Sequence, residues 1–319
     1  MSILFEIDVV ILSLNRVDFT LEAVKSVKRQ VGVNPKVWLV DQGSNSSTLN
    51  KLRSLALSDK KIFLEELESN RGVAEGRNIG NALGKAEYIF SLDNDAELKE
   101  SDTLQYLIRR LDKEPTIAVI ATKIENYYSG DLDYGSWAYP RSLLHAPKQE
   151  FKCARFTGGS CCIRREALNE TMGYDENLFF YWEELDLSYQ LIENGHHLVY
   201  DPSRSVMHKV AEETRISWNN DRYFFLVRNA LYLEWKYYRN LIRFIPRVIG
   251  YLVKGIINRV FIQSLKALIF SITLIIRLPK NQRHPLGKEA KQYIYENDEI
   301  YRGSLLNRFY SEVLEKLPK

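Results

Sequence analysis

The sequence predicts an α/β fold, a doubly wound and mostly parallel sheet, continued by a C-terminal helical extension. Three observations carry that prediction. In the first hundred residues apolar runs alternate with segments of helical period, with only a few residues between them, which is the pattern of strands joined by crossover helices. The runs themselves are nearly unbroken and rich in β-branched and aromatic residues, as strands covered on both faces are. Finally, each run is followed by polar or charged residues: Asn15 and Arg16, Asp41, Asn70 and Arg71, Asp93 and Asp95. Ligands of such sheets bind beyond the carboxyl ends of the strands, so these residues share one edge.

Taken in order, Ile7–Leu14 reads as the first strand and Asp18 as the cap of a helix reaching Arg29. Lys36–Val40 is the second strand, and Ser46 or Ser47 would cap a helix over Thr48–Leu57. Ile62–Leu67 is the third strand, and Asn70–Asn78 leads into a short helix ending near Gly84. Tyr88–Leu92 is the fourth strand and delivers Asp93-Asn94-Asp95 to its end. A helix over Thr103–Leu111 and a strand over Ile117–Ile120 follow. Tyr127–Glu150, rich in Tyr, Gly, Ser and Pro, reads as a loop that shapes a pocket. Phe156–Ile163 is a glycine turn into a strand, Arg164–Met172 a helix, and Glu183-Glu184-Leu185-Asp186 opens a helix that Gly195 ends. His197–Tyr200 and Ser205–His208 read as two short strands split by a turn at Asp201-Pro202.

A chain of 319 residues buries a large core as one large domain or two smaller ones; the division expected is 1–215 and 216–319. Three cysteines, two of them adjacent, make neither a disulfide framework nor a zinc spacing. They read as reduced core residues of a cytoplasmic protein, and no basic segment before Ile7 suggests a signal peptide. The net charge of +3 hides an asymmetry: Trp235 to Lys288 holds eleven Lys or Arg and no acid, which leaves −8 for the rest. An acidic body with a basic, aromatic and apolar C-terminal third is the composition of a catalytic part joined to a surface-docking part.

Two acidic clusters carry chemistry. Asp93 and Asp95, directly after a buried strand, repel each other unless a positive charge lies between them, and a hard divalent cation with oxygen ligands suits that place. An acidic turn capping a helix would use the same residue types. Glu183, Glu184 and Asp186 in the first turn of a helix favour its dipole by a few tenths to about 1 kcal/mol. The aromatic block Phe179–Trp182 before them adds something else, since a carboxylate against an apolar wall has a raised pKa and accepts protons near neutrality.

Read in series, VVILSLNR, LVDQGS, NRGVAEGRNIG, YIFSLDNDAEL, FTGGSCCIRREAL and the stretch from Gly173 to Lys209 resemble the family 2 glycosyltransferases. These have the GT-A fold, a Rossmann-like, doubly wound, mostly parallel sheet. The likeness spans residues 5–210 and is nearest to the bacterial surface-polysaccharide, rhamnosyltransferase-like branch. It implies that Asp41 contacts the nucleotide base and that Arg71 and Arg77 lie in a basic loop near the nucleotide. Asp93 and Asp95 match the DxD motif that binds Mn²⁺ or Mg²⁺ under the diphosphate. Gly158 and Gly159 match a loop facing donor sugar and acceptor, and Asn15, Arg16 and Trp182 join the substrate pocket. Glu184 stands where the family has the Asp of a Glu-Asp pair, the catalytic base. The chain departs by reading Glu-Glu, so either Glu184 or Glu183 takes that role. His208 aligns with a histidine that closes this region in many members and sometimes ligates the metal; read by itself, a lone His on a short apolar strand is more often a structural hydrogen-bonder.

The implied reaction is a single inverting displacement from a UDP- or dTDP-sugar to a lipid-linked or growing surface glycan. No Trp follows an Arg, so the QxxRW pattern of processive synthases is absent. In the C-terminal third the longest uncharged apolar stretch, Ala267–Ile276, has ten residues, against about 20 for a spanning helix. Arg239, Arg243, Arg247 and Lys254 fall in one helical stripe, which Pro246 would kink or restart. That pattern suggests docking on the inner face of the cell membrane, and no nucleic-acid motif accompanies the charge. The rival functions are a sugar-nucleotide nucleotidyltransferase and a non-catalytic membrane-associated adaptor of the same fold.

Overall fold

The computed structural model describes residues 4–209, 222–279, 285–304 and 313–314. The α/β prediction holds. β1 (Phe5–Ser13), α1 (Val17–Lys28), β2 (Val33–Asp41), α2 (Ser46–Ser58), β3 (Ile62–Glu66), α3 (Gly72–Leu83) and β4 (Tyr88–Asp93) alternate as expected. β5 (Ala96–Leu98), α4 (Thr103–Lys113), β6 (Ile117–Asn126), β7 (Phe151–Cys153), β8 (Ser160–Arg164), α5 (Arg165–Asn169), α6 (Glu183–Glu193) and β9 (His197–His208) follow. The sheet has the order β3-β2-β1-β4-β8-β6-β9-β5, with β7 also on β9. β3, β2, β1 and β4 are parallel; β8 runs against both β4 and β6, and β6 is parallel to β9.

The period-two pleat of β1 explains how this sheet is covered on both faces. Ile7, Val9 and Ile11 pack with α1 and α4 residues such as Val24 and Leu107, while Val10 points into the core on the other face with Ala74, Cys161 and Leu187. Asp8 shares that second face, fully buried. Its carboxylate accepts from Trp38 Nε1 (2.8 Å), the Ala86 N–H (2.7 Å) and Arg165 Nη2 (2.7 Å), so the charge is paired and its lone pairs are used.

Several local expectations are corrected. Asp18 lies inside the first turn of α1, whose N-cap residue is Arg16, without a side-chain cap. Asn45, not Ser46 or Ser47, caps α2 by accepting from the Thr48 N–H at 3.0 Å. The two short strands expected at the end of the sheet are one strand, β9. The Asp201-Pro202 turn is a bulge in its pairing with β6, where Thr122 faces Asp201 and the next residue, Lys123, faces Ser205. Backbone pairing on both sides of the bulge outweighs the local turn signal.

The C-terminal region contains α7 (Tyr223–Tyr238), α8 (Leu241–Ile257), α9 (Phe261–Arg277) and α10 (Lys288–Asn297). The expected boundary at 215/216 lies outside the described residues. Tyr232, Leu233 and Tyr237 of α7 and Ala290 and Ile294 of α10 join the core on the Val10 side of the sheet. α8 runs through Pro246, its sixth residue, as one helix, and at that place the proline removes the hydrogen bond to the Ile242 carbonyl. The basic stripe is partly spent: Arg243 Nε and Arg247 Nε reach the buried Glu234 at 2.8 and 3.0 Å, and Arg243 Nη2 reaches Glu299 at 3.3 Å. Among the described residues no helix is long and apolar enough to cross a membrane.

Candidate active site

The carboxyl ends of three parallel strands meet at one edge. Ser13 on β1 is level with Asp41 on β2, and Leu12 with Asp93 on β4. Beyond β1 the chain turns through Asn15 at φ 58°, a left-handed conformation that Asn tolerates. The Asn15 N–H donates to Ser44 Oγ (2.9 Å), and its Oδ1 accepts from the Asn45 N–H and from Asn45 Nδ2, both at 2.9 Å. Asn15 therefore ties the β1 and β2 loops together. Asp41 Oδ2 accepts from the Ser44 N–H at 2.9 Å, whereas its Oδ1 is buried without a protein partner. A buried acceptor left in that state is costly and suits an N–H donor from a bound molecule.

Arg71 is exposed at the start of α3, its guanidinium 3.4 Å from Glu75 Oε1. Arg77, six residues on, is buried. Its Nη1 donates to Val10 O (2.8 Å), and its Nη2 to Asp93 Oδ1 (2.9 Å) and Gly158 O (3.3 Å). It thus acts on the edge by holding Asp93 and the glycine loop. Asp95 accepts from Arg16 Nη1 at 2.7 Å and faces His208 Nε2 at 3.4 Å, while His208 Nδ1 meets Asp133 Oδ2 at 2.8 Å. Burial alone would lower the His208 pKa, but Asp133 and Asp95 on either side raise it to about 10. Burial pushes Asp95 upward, and His208 and Arg16 outweigh it and hold the carboxyl below its usual range.

Across the edge, Gly158 and Gly159 bring a second acid to the first. A Cβ on Gly159 would overlap Asp93 Oδ2, and one on Gly158 would overlap Glu184 Oε1. Burial above all, helped by the Asp93 charge, raises Glu184 to about 7. Glu183 is 4% exposed with Oε2 buried and unpartnered; burial and then Glu184 push it well above the carboxylate range. Of the pair, Glu184 is the one placed against Gly158 and Asp93. Trp182 turns away: its Nε1 donates to Leu226 O on α7 at 3.0 Å.

A divalent cation fits the residues at Asp95. The Nδ1 of His208 is fixed by the Asp133 carboxylate, so Nε2 is the nitrogen presented to Asp95, the arrangement of histidines that ligate metals. Two carboxylates and an imidazole suit Mn²⁺, and oxygen ligands suit Mg²⁺. Among the described residues no three such side chains stand together as a ready ligand set, so Asp93, Asp95 and His208 would need the diphosphate oxygens of a donor to complete the shell.

Asp133 and Gln42 were not legible as site residues. Asp133 sits in the Tyr127–Glu150 loop and meets His208 only because β6 and β9 pair Asn126 with His208. Gln42 accepts the Arg71 N–H (2.9 Å) and donates to Gly72 O (3.0 Å), joining β2 to the start of α3.

The family model "Glycosyl transferase family 2" matches residues 8–172. Glycosyltransferase GlyG of Streptococcus pneumoniae is 25% identical over 168 residues, 52% of this chain and 48% of its own length, so the chain spans about half of that relative. Succinoglycan biosynthesis protein ExoO of Rhizobium meliloti is 30% identical over 107 residues, 34% of this chain and 30% of its own. Among solved structures, GalNAc-T7 with UDP, GalNAc and Mn²⁺ superposes with a TM-score of 0.62 at 17% identity, covering 98% of this chain and 57% of that one. The mannosyltransferase PcManGT of Pyrobaculum calidifontis, with GDP-Man and Mn²⁺, gives 0.57 at 16%, covering 97% and 85%. These likenesses establish the GT-A fold.

The loop that delivers Glu183 rests on α3: the Val73 N–H donates to Phe179 O at 2.6 Å, and Gly72, at φ 84°, faces that same carbonyl. Gly72→Ala adds a Cβ against fixed backbone in a left-handed conformation. It is expected to destabilise the fold by about 2–4 kcal/mol, read as a lower urea midpoint at unchanged slope.

Proposed function

We propose that this chain, which belongs to glycosyl transferase family 2, moves one hexosyl or deoxyhexosyl unit, with inversion, from a UDP- or dTDP-sugar to an acceptor hydroxyl. The acceptor we assign is a lipid-linked or growing surface glycan, in keeping with the succinoglycan biosynthesis of the Rhizobium meliloti relative. One observation carries this reading. Across Gly158-Gly159 two carboxylates meet the same glycine loop: Asp93, which burial raises against the opposing pull of the Arg77 guanidinium, and Glu184, raised to about 7. A carboxylate poised near neutrality is fit to serve as a general base.

In that mechanism Asp41 Oδ1 accepts the ring N–H that uracil and thymine present, which selects the base. Arg71, exposed near the mouth, adds positive charge beside the nucleotide. Glu184 takes the proton of the acceptor hydroxyl as its oxygen attacks the anomeric carbon. The bond from that carbon to the diphosphate oxygen breaks on the opposite face, which inverts the centre. Positive charge grows on the ring as it does in glycoside hydrolysis, and the Asp93 carboxylate is the charge assigned to stabilise it. Asp95, Asp93 and His208 would hold Mn²⁺ or Mg²⁺, which when bound supplies Lewis-acid stabilisation of the departing diphosphate.

The membrane surface is part of the same reading. Ile242, Ile249 and Ile256 on α8 and Ile262, Ile269 and Ile276 on α9 are exposed at seven-residue spacing, so each helix carries one apolar stripe. Arg259, Lys266 and Arg277 accompany them, and no acid occurs between Trp235 and Lys288. Apolar stripes edged by cations suit the inner face of a membrane with anionic headgroups.

Three outcomes are expected. In calorimetric titrations with UDP-, dTDP- and GDP-sugars, one nucleotide class binds with Mn²⁺ or Mg²⁺, and both chelator and Asp95→Ala abolish that binding; no binding to any of them by folded protein would defeat the reading. Glu184 works only when deprotonated, so kcat rises with pH to a plateau above about 7, and Glu184→Gln lowers kcat by about 10²–10⁴-fold and removes the rise. In flotation assays the protein rises with vesicles containing anionic lipid. Ile242→Asp combined with Ile269→Asp leaves it at the bottom of the gradient, and equal flotation of that variant would remove the stripes from the proposal.

A further inference from the structure

The segment that leads into Glu183 and Glu184 is held in an unusual backbone conformation by a helix outside the matched region. Phe179, Tyr181 and Trp182 have φ of 59°, 71° and 72°. Bulky residues adopt such angles only where their surroundings over-determine them. We propose that Asn229 on α7 is the positioning residue that imposes this conformation and so fixes Glu184 against Gly158. The proposal rests on the reading of Glu184 as the base.

Asn229 is fully buried. Its Nδ2 donates towards three carbonyls of the segment, Leu178 O at 2.8 Å, Phe180 O at 2.8 Å and Tyr181 O at 2.7 Å. An amide NH₂ has two hydrogens, so one is shared between two of these acceptors. Its Oδ1 accepts from Arg228 Nε at 2.7 Å, which fixes the amide end that faces the loop. Arg228 Nη2 adds bonds to Asn177 O (2.7 Å) and Leu178 O (2.8 Å). The flanks are anchored to the same helix. Before the loop, Asp175 accepts from Lys236 Nζ and Tyr232 Oη, both at 2.8 Å; after it, Asp186 accepts from Lys236 Nζ (2.7 Å) and Tyr237 Oη (2.8 Å).

This arrangement separates positioning from ordinary packing. Apolar contact alone would bury the loop without fixing the direction of its peptide planes. Converging three carbonyls on one donor group fixes those planes, and the planes fix where α6 begins. Without that donor the Phe180 and Tyr181 carbonyls lose the bond that orients them, Leu178 O keeping its bond from Arg228, and the segment regains stability by rotating back to negative φ. That rotation displaces Glu184, while Asp41 and Asp93, at strand ends, and Asp95, between β4 and β5, stay in place. Asn229 itself touches none of the groups assigned to substrate.

The test uses the full chain with Asn229→Ala and Asn229→Asp, the latter of equal size but without the two N–H donors. Leu52→Ala, in α2 and fully buried, supplies a control for lost stability. Hydrogen–deuterium exchange of peptides covering 176–186 is expected to rise about ten-fold or more in both Asn229 variants, with 88–93 unchanged. Nucleoside diphosphate release from UDP-, dTDP- and GDP-hexoses is expected to fall about 100-fold in kcat, with donor KM within about three-fold and no comparable fall in Leu52→Ala. Unchanged exchange in 176–186, or a kcat loss no larger than the control's, overturns the proposal. If the Asn229 variants do not fold, Trp182→Phe, which removes the bond to Leu226 O and the indole beside Arg155 but leaves the three Asn229 bonds in place, is expected to keep wild-type exchange in 176–186, and a rise of about ten-fold there overturns the proposal. Glu184→Gln keeps the two readings apart: full turnover in that variant would sink the base assignment, whereas loop exchange reports on Asn229 regardless.

Discussion

A guanidinium that cannot lose its proton must be surrounded by acceptors wherever it is buried, and Arg77 is 2% exposed. It takes its acceptors from Val10, Asp93 and Gly158, that is, from β1, from the end of β4 and from the loop before β8. One side chain thereby ties three elements together, and the Asp93 N–H donating to Gly159 O at 3.1 Å adds a backbone bond between the last two. The glycine loop sits where Asp93 and Glu184 need it because this cation holds its backbone. Gly76 and Gly80 on the same helix let α3 approach closely, since a Cβ there would strike Gln42 and Val10.

The acidic half of the edge is balanced differently. Asp95 and Asp133 flank His208, and Arg16 closes on Asp95 from the β1 side. Charge is neutralised there by two cations of unlike character, one an imidazole able to give up its proton and one a guanidinium on a surface loop. Such a pair can be rearranged when a stronger cation arrives. The Arg77–Asp93 pair, rooted in backbone carbonyls, has no comparable freedom. The edge therefore combines a fixed carboxylate with an adjustable one.

Much of this was legible in the sequence because it is written in short range. Strand runs, the polar residues that end them, the Asp93–Asp95 pair and the acids opening α6 are all patterns within a dozen residues, and the family resemblance joined them in order. What escaped depends on partners far apart in the chain. Arg77 looked like a residue for the nucleotide because its burial against Val10 and Gly158, 67 and 81 residues away, leaves no local mark. Asp133 becomes meaningful only through the pairing of β6 with β9. The bulge that merges two expected strands is likewise invisible locally, since Asp201-Pro202 has the composition of a turn. The basic stripe expected on one helix is divided: Arg239 ends α7 in a left-handed conformation, only Arg243, Arg247 and Lys254 lie on α8, and Glu234 on the preceding helix consumes part of what remains.

The opposition of Gly158 to Glu184 has a consequence for how this site can change over time. The carboxylate fills the space that any side chain at 158 would need, so the two positions form a single volume shared between them. Shortening Glu184 by one methylene, to Asp, vacates about a methyl group's worth of room, and a small side chain at 158 could then enter without collision. Lengthening one requires shrinking the other. A side chain at 158 therefore has to push the Glu184 carboxylate aside, so the bare glycine and the longer acid across from it act as one unit, and a change at 158 is felt at 184.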